Sequence, residues 1–127
     1  MRFDGKAVIV TGGGTGIGLG ISRVLAGLGA TVAIVQHRPA DLESGLAALG
    51  ELNVFGVLAD VTRREGIDEI VSTVAERCGR IDVLVNNAAA TGAAALNAFL
   101  TETEEHFDAV VDVNLRALYF LSQAVAR

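Results

Sequence analysis

The stretch Thr11-Gly12-Gly13-Gly14-Thr15-Gly16-Ile17-Gly18 leaves this chain few folds to choose from. It follows an apolar run of strand length, Lys6-Ala7-Val8-Ile9-Val10. It also opens a segment in which Ile17, Ile21, Val24, Leu25 and Leu28 recur at the spacing of one helix face. Residues without a β-carbon let the backbone turn tightly and approach a diphosphate, while the free N–H groups of the helix N-terminus face the negative charge. Strand, glycine turn and helix in that order predict a nucleotide-binding βα unit; a glycine turn with no ligand is the alternative. The dinucleotide fingerprint G-x-G-x-x-G is absent in every register. Counted from Gly12 its third glycine falls on Ile17, and counted from Gly14 on Leu19. What stands instead is Thr-Gly-x-x-x-Gly-x-Gly, at Thr11, Gly12, Gly16 and Gly18.

The rest of the chain repeats the alternation. Strands are expected at about 6–11, at Thr31 to Val35, at Val54 to Leu58 and at Ile81 to Val85. Helices are expected over about 16–28 with Gly29 after the end, from Pro39 or Asp41 to Leu49 with Gly50 closing, and from Arg64 to Cys78. A Gly/Ala-rich loop follows over Ala88 to Asn97. Thr101 or Thr103 caps a fourth helix with Glu104 and Glu105 in its first turn, and a final helical stretch runs from Asn114 to Arg127. Alternating strands and helices imply right-handed crossovers and a parallel sheet. The order for four such strands is 3-2-1-4, with ligands at the carboxyl ends of strands one and four. The glycine loop and Asn86-Asn87 both fall there and should face one crevice.

Composition fits. The chain is 51% hydrophobic but only 5% aromatic, so its apolar content is mostly aliphatic, as in strands covered on both faces. A net charge of −5 argues against a nucleic-acid surface. One cysteine, Cys78, permits no internal disulfide, and no apolar run reaches the length of a membrane span. A cytoplasmic α/β domain without a metal site or membrane partner is the expectation.

Four motifs together resemble the short-chain dehydrogenase/reductase family: the glycine loop, Asp60-Val61 after strand three, Asn86-Asn87-Ala88-Ala89 after strand four, and Asp112-Val113-Asn114-Leu115. The resemblance spans all 127 residues and implies a Rossmann-type doubly wound parallel sheet, here its amino-terminal part. It implies an NAD(P)-dependent oxidoreductase moving hydride between nicotinamide and a carbonyl or secondary alcohol. Thr11, Gly12, Gly14, Thr15, Gly16, Ile17 and Gly18 would hold the diphosphate. Asp60 and Val61 would meet the adenine, and Asn87, Ala88 and Ala89 the nicotinamide ribose. Ala89 departs from the family's glycine there. Asn114 would bend its helix and hold the water of a proton relay. Each has a plainer alternative: Asp60 as a helix cap, the paired asparagines as a tie between strands, Asn114 as a helix break.

Strand two ends in Gln36-His37-Arg38 with no carboxylate before Asp41. An acid there would accept a ribose 2′-hydroxyl, whereas the arginine fork suits a 2′-phosphate with His37 assisting, so NADP is favoured over NAD. Gln36 could still bond a free ribose hydroxyl, and Arg38 could be a solvated surface residue. The family's chemistry needs a serine and a Tyr-x-x-x-Lys pair. The sole tyrosine, Tyr119, is followed four residues later by Gln123, and the only lysine is Lys6. The expectation is therefore one dinucleotide-binding domain over 1–127 that stops before the catalytic part and is inactive alone. A non-catalytic nucleotide-binding or interaction module is the other reading. Strand four would be a sheet edge, and the final helix would expose Leu115, Leu118, Leu121 and Val125. In the family this helix builds a subunit interface, so a homo-oligomer is implied.

Overall fold

In the computed structural model, which describes residues 1–92 and 95–127, strands and helices alternate as expected. They are β1 (Ala7–Thr11), α1 (Gly16–Gly27), β2 (Thr31–Gln36), α2 (Pro39–Leu49), β3 (Val54–Leu58), α3 (Arg64–Cys78) and β4 (Val83–Val85). After a 3-10 turn at Phe99–Thr101, α4 (Glu104–Val111), a π-helical turn (Asp112–Arg116) and α5 (Ala117–Ala126) follow without interruption. Of the expected loop over Ala88 to Asn97, Ala93 and Ala94 lie outside the described residues. The sheet is parallel throughout in the order β3-β2-β1-β4, the amino-terminal part of a doubly wound Rossmann-type fold.

Period-two alternation in the strands builds a core on each face. Ile9, Ala33, Val35, Phe55 and Val57 meet Ile67, Ile70 and Val74 of α3 and Leu121 of α5. Val8, Val10, Val32 and Ile34 meet Ala26 of α1 and Leu49 of α2 on the other face. β1, with neighbours on both edges and helices on both faces, is buried along its whole length. α1 ends through Leu28 into Gly29, whose φ of +99° is accessible to glycine at little cost. Among the described residues no helix is long and apolar enough to cross a membrane.

Two expectations are corrected. The fourth strand begins at Val83 rather than Ile81, because the Asp82 side chain takes over the ladder. The Asp82 N–H donates to Ala7 O (2.9 Å), but the Ala7 N–H donates to the Asp82 carboxylate (2.9 Å) instead of to a strand carbonyl. The second correction concerns α5. Leu121 is only 1% exposed and Val125 packs against the core, since Ala117, Leu121 and Val125 share the face turned to the sheet. Leu115 and Leu118 are exposed as expected, and Tyr119 is exposed with them.

Asp82 also makes stability acid-sensitive. The Arg80 guanidinium, then the Ala7 N–H and the Lys6 ammonium, hold its carboxyl down at about 2, against a usual 3.8. A carboxyl depressed in the folded state contributes stability that is complete above its unfolded value and is lost as pH falls through the folded one. Asp82→Asn should therefore be less stable than the parent at neutral pH, with the difference closing between the two values of 3.8 and about 2. Denaturant unfolding across that window measures this, and a difference independent of pH would contradict it.

Candidate functional site

The glycine loop leaves the carboxyl end of β1 and is held from four sides. The Gly12 N–H donates to Val35 O of β2 at 2.8 Å. The Ser22 hydroxyl, fully buried on α1, donates to Gly13 O at 3.1 Å. On the β4 side Thr11 and Asn87 form a clasp between segments far apart in sequence. The Thr11 hydroxyl accepts the N–H groups of Asn87 and Ala88, each at 3.0 Å, and donates to Val85 O at 3.4 Å. The Asn87 side-chain amide donates back to Thr11 O (3.0 Å) and Gly12 O (3.4 Å). On the fourth side α2 lies on the loop: a β-carbon on Gly45 would come within 2.5 Å of the Gly14 Cα.

This holding leaves the start of α1 open. Thr15 is extended and offers no side-chain cap, and no acid stands in the first turn. α4 shows the alternative, with Thr103 accepting the His106 N–H and Glu104 and Glu105 beside the positive end of the helix. α2 and α3 likewise lack a side-chain cap but carry Asp41 and Glu65 in their first turns, so α1 alone of the three has its partial positive charge unmet by a nearby acid. Gly12 and Gly18 are packed hard together there, since a β-carbon on Gly18 would lie 2.1 Å from Gly12 O and 2.5 Å from the Asn87 amide nitrogen. Gly16 faces open space, and Ile17, 78% exposed, stands beside it.

At the end of β2, Gln36 and the two residues after it part ways. Gln36 is 6% exposed and its amide turns inward to the Thr15 hydroxyl at 3.4 Å, so it buttresses the loop. His37 and Arg38 are exposed, and Arg38 stands at the head of α2. Asp60, after β3, does not cap α3. Its Oδ1 accepts the Thr62 N–H (2.9 Å) and hydroxyl (2.6 Å), and its Oδ2 lies 3.7 Å from Arg63. Burial pushes its carboxyl up, but the Thr62 bonds and the neighbouring Arg63 and His37 outweigh this and leave it below the ordinary range. Asp60 is therefore an ionised acceptor near neutral pH. Val61 lines a small cleft with Thr11, Asn86, Ala88 and Leu118, and Ala89 is exposed.

Asn86 and Asn114 tie the post-β4 loop to the long helix. Asn86 donates to the Ser122 hydroxyl at 3.0 Å. Asn114 is exposed. It satisfies its amide on one loop residue, its Oδ1 accepting the Ala90 N–H (2.7 Å) and its Nδ2 donating to Ala90 O (3.2 Å). It sits in the π-helical turn, where the Ala117 N–H reaches back to Asp112 O, five residues away.

The residues picked from the sequence thus gather at one end of the sheet, with Asn87, Gln36 and Asp60 already bonded within the protein. Ser22 and Gly45 escaped the sequence reading. Both left a signal, a hydroxyl and a glycine inside strongly helical segments where each is unfavourable without a local reason.

A family model described as short chain dehydrogenase matches residues 6–127. Among curated proteins, the galactitol 2-dehydrogenase of Agrobacterium fabrum is 39% identical over 99% of this chain and 48% of its own length. A 3-oxoacyl acyl-carrier-protein reductase of Thermotoga maritima is 38% identical over 98% of this chain and 50% of its own. The chain spans about half the length of these relatives. Among solved structures, a short-chain dehydrogenase/reductase from Caenorhabditis elegans, of unknown function and crystallised with cofactor, superposes with a TM-score of 0.89. It is 32% identical and is matched over 99% of this chain and 49% of that one.

Proposed function

This chain belongs to the short-chain dehydrogenase family, and from that premise we propose that it is the cofactor-binding part of an NAD(P)-dependent oxidoreductase acting on a carbonyl or secondary alcohol. The observation that carries this is the open, uncapped start of α1 beneath a glycine loop at the carboxyl ends of β1 and β4. The residues present fit a dinucleotide: a cradle with no room for β-carbons at Gly12, Gly13, Gly14 or Gly18, helix donors without a side-chain cap for the diphosphate, and acceptors and donors at the adenosine end. Such a cofactor, when bound, supplies or takes up the hydride. The chain's own part is to hold it. The backbone from Gly12 to Gly18 takes the diphosphate with Thr15 and Ile17 at its rim, and Asp60 and Val61 border the adenine. Ala88 and Ala89 border the nicotinamide ribose, with Asn87 shaping that wall through the clasp. Asn114, at the π-helical turn, fits the position of a proton relay. No Tyr-x-x-x-Lys pair stands in this sequence, so no acid/base step is assigned to its residues. The exposed Leu115, Leu118 and Tyr119 suit burial against a second copy.

Arg38 selects NADP. Its guanidinium is exposed at the head of α2, and among the described residues it forms no ion pair, so it is available to a 2′-phosphate. Hydrogen bonds to charged groups contribute about 1.5–3 kcal/mol, roughly ten- to hundredfold in affinity. Arg38→Asp should weaken NADPH by that factor while NADH binding holds or improves, as read by nicotinamide fluorescence titration. Unchanged relative affinities would sink the NADP assignment. If the parent bound neither dinucleotide, the wider reading would fail.

A further inference from the structure

The contact between α2 and the glycine loop is closer than packing alone requires. Asp41 and Gly45, one helical turn apart, present backbone to Gly14. A β-carbon on Gly14 would lie 2.8 Å from Asp41 O, and one on Gly45 would lie 2.5 Å from Gly14 Cα and 2.8 Å from Gly14 O. No side chain intervenes, so nothing can rotate away if the contact tightens. Glycine inside a helix is unfavourable relative to alanine, and Gly45 is buried in the interior of α2. The gain is close approach of two backbones. The same helix carries Arg38 at its head, and the Arg38 carbonyl accepts the Leu42 N–H at 3.1 Å, so the base of Arg38 moves with the first turn of α2.

We infer that Gly45 is a positioning residue for cofactor choice: it seats α2 on the diphosphate loop and so fixes the separation between that loop and the Arg38 guanidinium. This rests on the reading of Arg38 as the 2′-phosphate contact. A dinucleotide has a set distance between its diphosphate and its 2′-phosphate, so a helix lifted off Gly14 holds one group at the expense of the other. The unphosphorylated dinucleotide makes no demand at Arg38 and is insensitive to the lift.

The test is a double-mutant cycle of Gly45→Ala with Arg38→Ala, reading NADPH and NADH affinities by fluorescence titration. Gly45→Ala alone should reduce the NADPH-to-NADH affinity ratio by about tenfold, within the range for residues coupled through a backbone shift. In the Arg38→Ala background it should leave the ratio unchanged. A merely structural role would lower both affinities together and leave the ratio intact, which would overturn the inference. If Arg38→Asp fails to alter the ratio in the parent, the reading of Arg38 is at fault instead. Should Gly45→Ala not fold, Gly14→Ala fills the same contact from the loop side: a fall in the ratio supports the inference and an unchanged ratio overturns it.

Discussion

Gly18→Ala should weaken dinucleotide binding severely while leaving the sheet folded. The added carbon would lie 2.1 Å from Gly12 O and 2.5 Å from the Asn87 amide nitrogen, and the first of these is backbone. Overpacking costs typically about 1–3 kcal/mol, and here the upper end applies because the loop carbonyl has no rotamer to change. Relief comes through the loop itself, whose far side is fixed by Ser22 on Gly13 O and by α2 on Gly14. About 3 kcal/mol at the diphosphate cradle is roughly a hundredfold in affinity. Fluorescence titration with NADPH and NADH should show both weakened alike, since the diphosphate is common to them, and circular dichroism should show the parent's secondary structure. Binding within a few-fold of the parent would mean that the cradle is elsewhere.

Thr11→Val should be the most destabilising of the near-isosteric changes at this site. The valine fills the same space, but it leaves the Ala88 N–H without its oxygen and the Asn87 N–H with Val85 O alone, at 3.1 Å. Thr11 is 2% exposed, so water does not readily replace that oxygen. A buried donor left unsatisfied costs about 1–3 kcal/mol, and urea unfolding should show a loss of about that size. Thr11→Ser keeps the oxygen and should recover most of it. A loss under about 0.5 kcal/mol for the valine variant would show that the clasp contributes nothing net.

Most of the fold was readable because each signal was local. The aliphatic runs, the caps and the glycines after helix ends placed the strands and helices within a residue or two, and strand order followed from the alternation. The readings that went astray depended on partners distant in sequence. Val83 opens β4 only because Asp82 meets Ala7, and the order of the chain does not announce that a carboxylate will stand in for a ladder carbonyl. The solvent exposure expected for Leu121 overlooked that α3 and α5 cover the same face of the sheet. At the site, the glycine spacing and the Asn86-Asn87 pair were legible as parts of one crevice. What each side chain does there was not. Gln36 faces Thr15, Asp60 closes a turn on Thr62, and Asn114 bonds Ala90 across 24 positions. These are choices among partners that three-dimensional proximity offers and sequence periodicity does not reveal.

The π-helical turn at Asp112–Arg116 has an effect beyond the neighbourhood of Asn114. An α-helix advances about 100° per residue, and a turn that closes five residues back accommodates one residue more than the regular winding would. The turn acts as a phase shifter. It lets α4 run on into α5 while the two keep different angular settings, so that α5 can be clocked to bring Ala117 and Leu121 onto the sheet and leave Leu118 and Tyr119 outward. The composition of the outward surface is thus decided by winding number as much as by residue type.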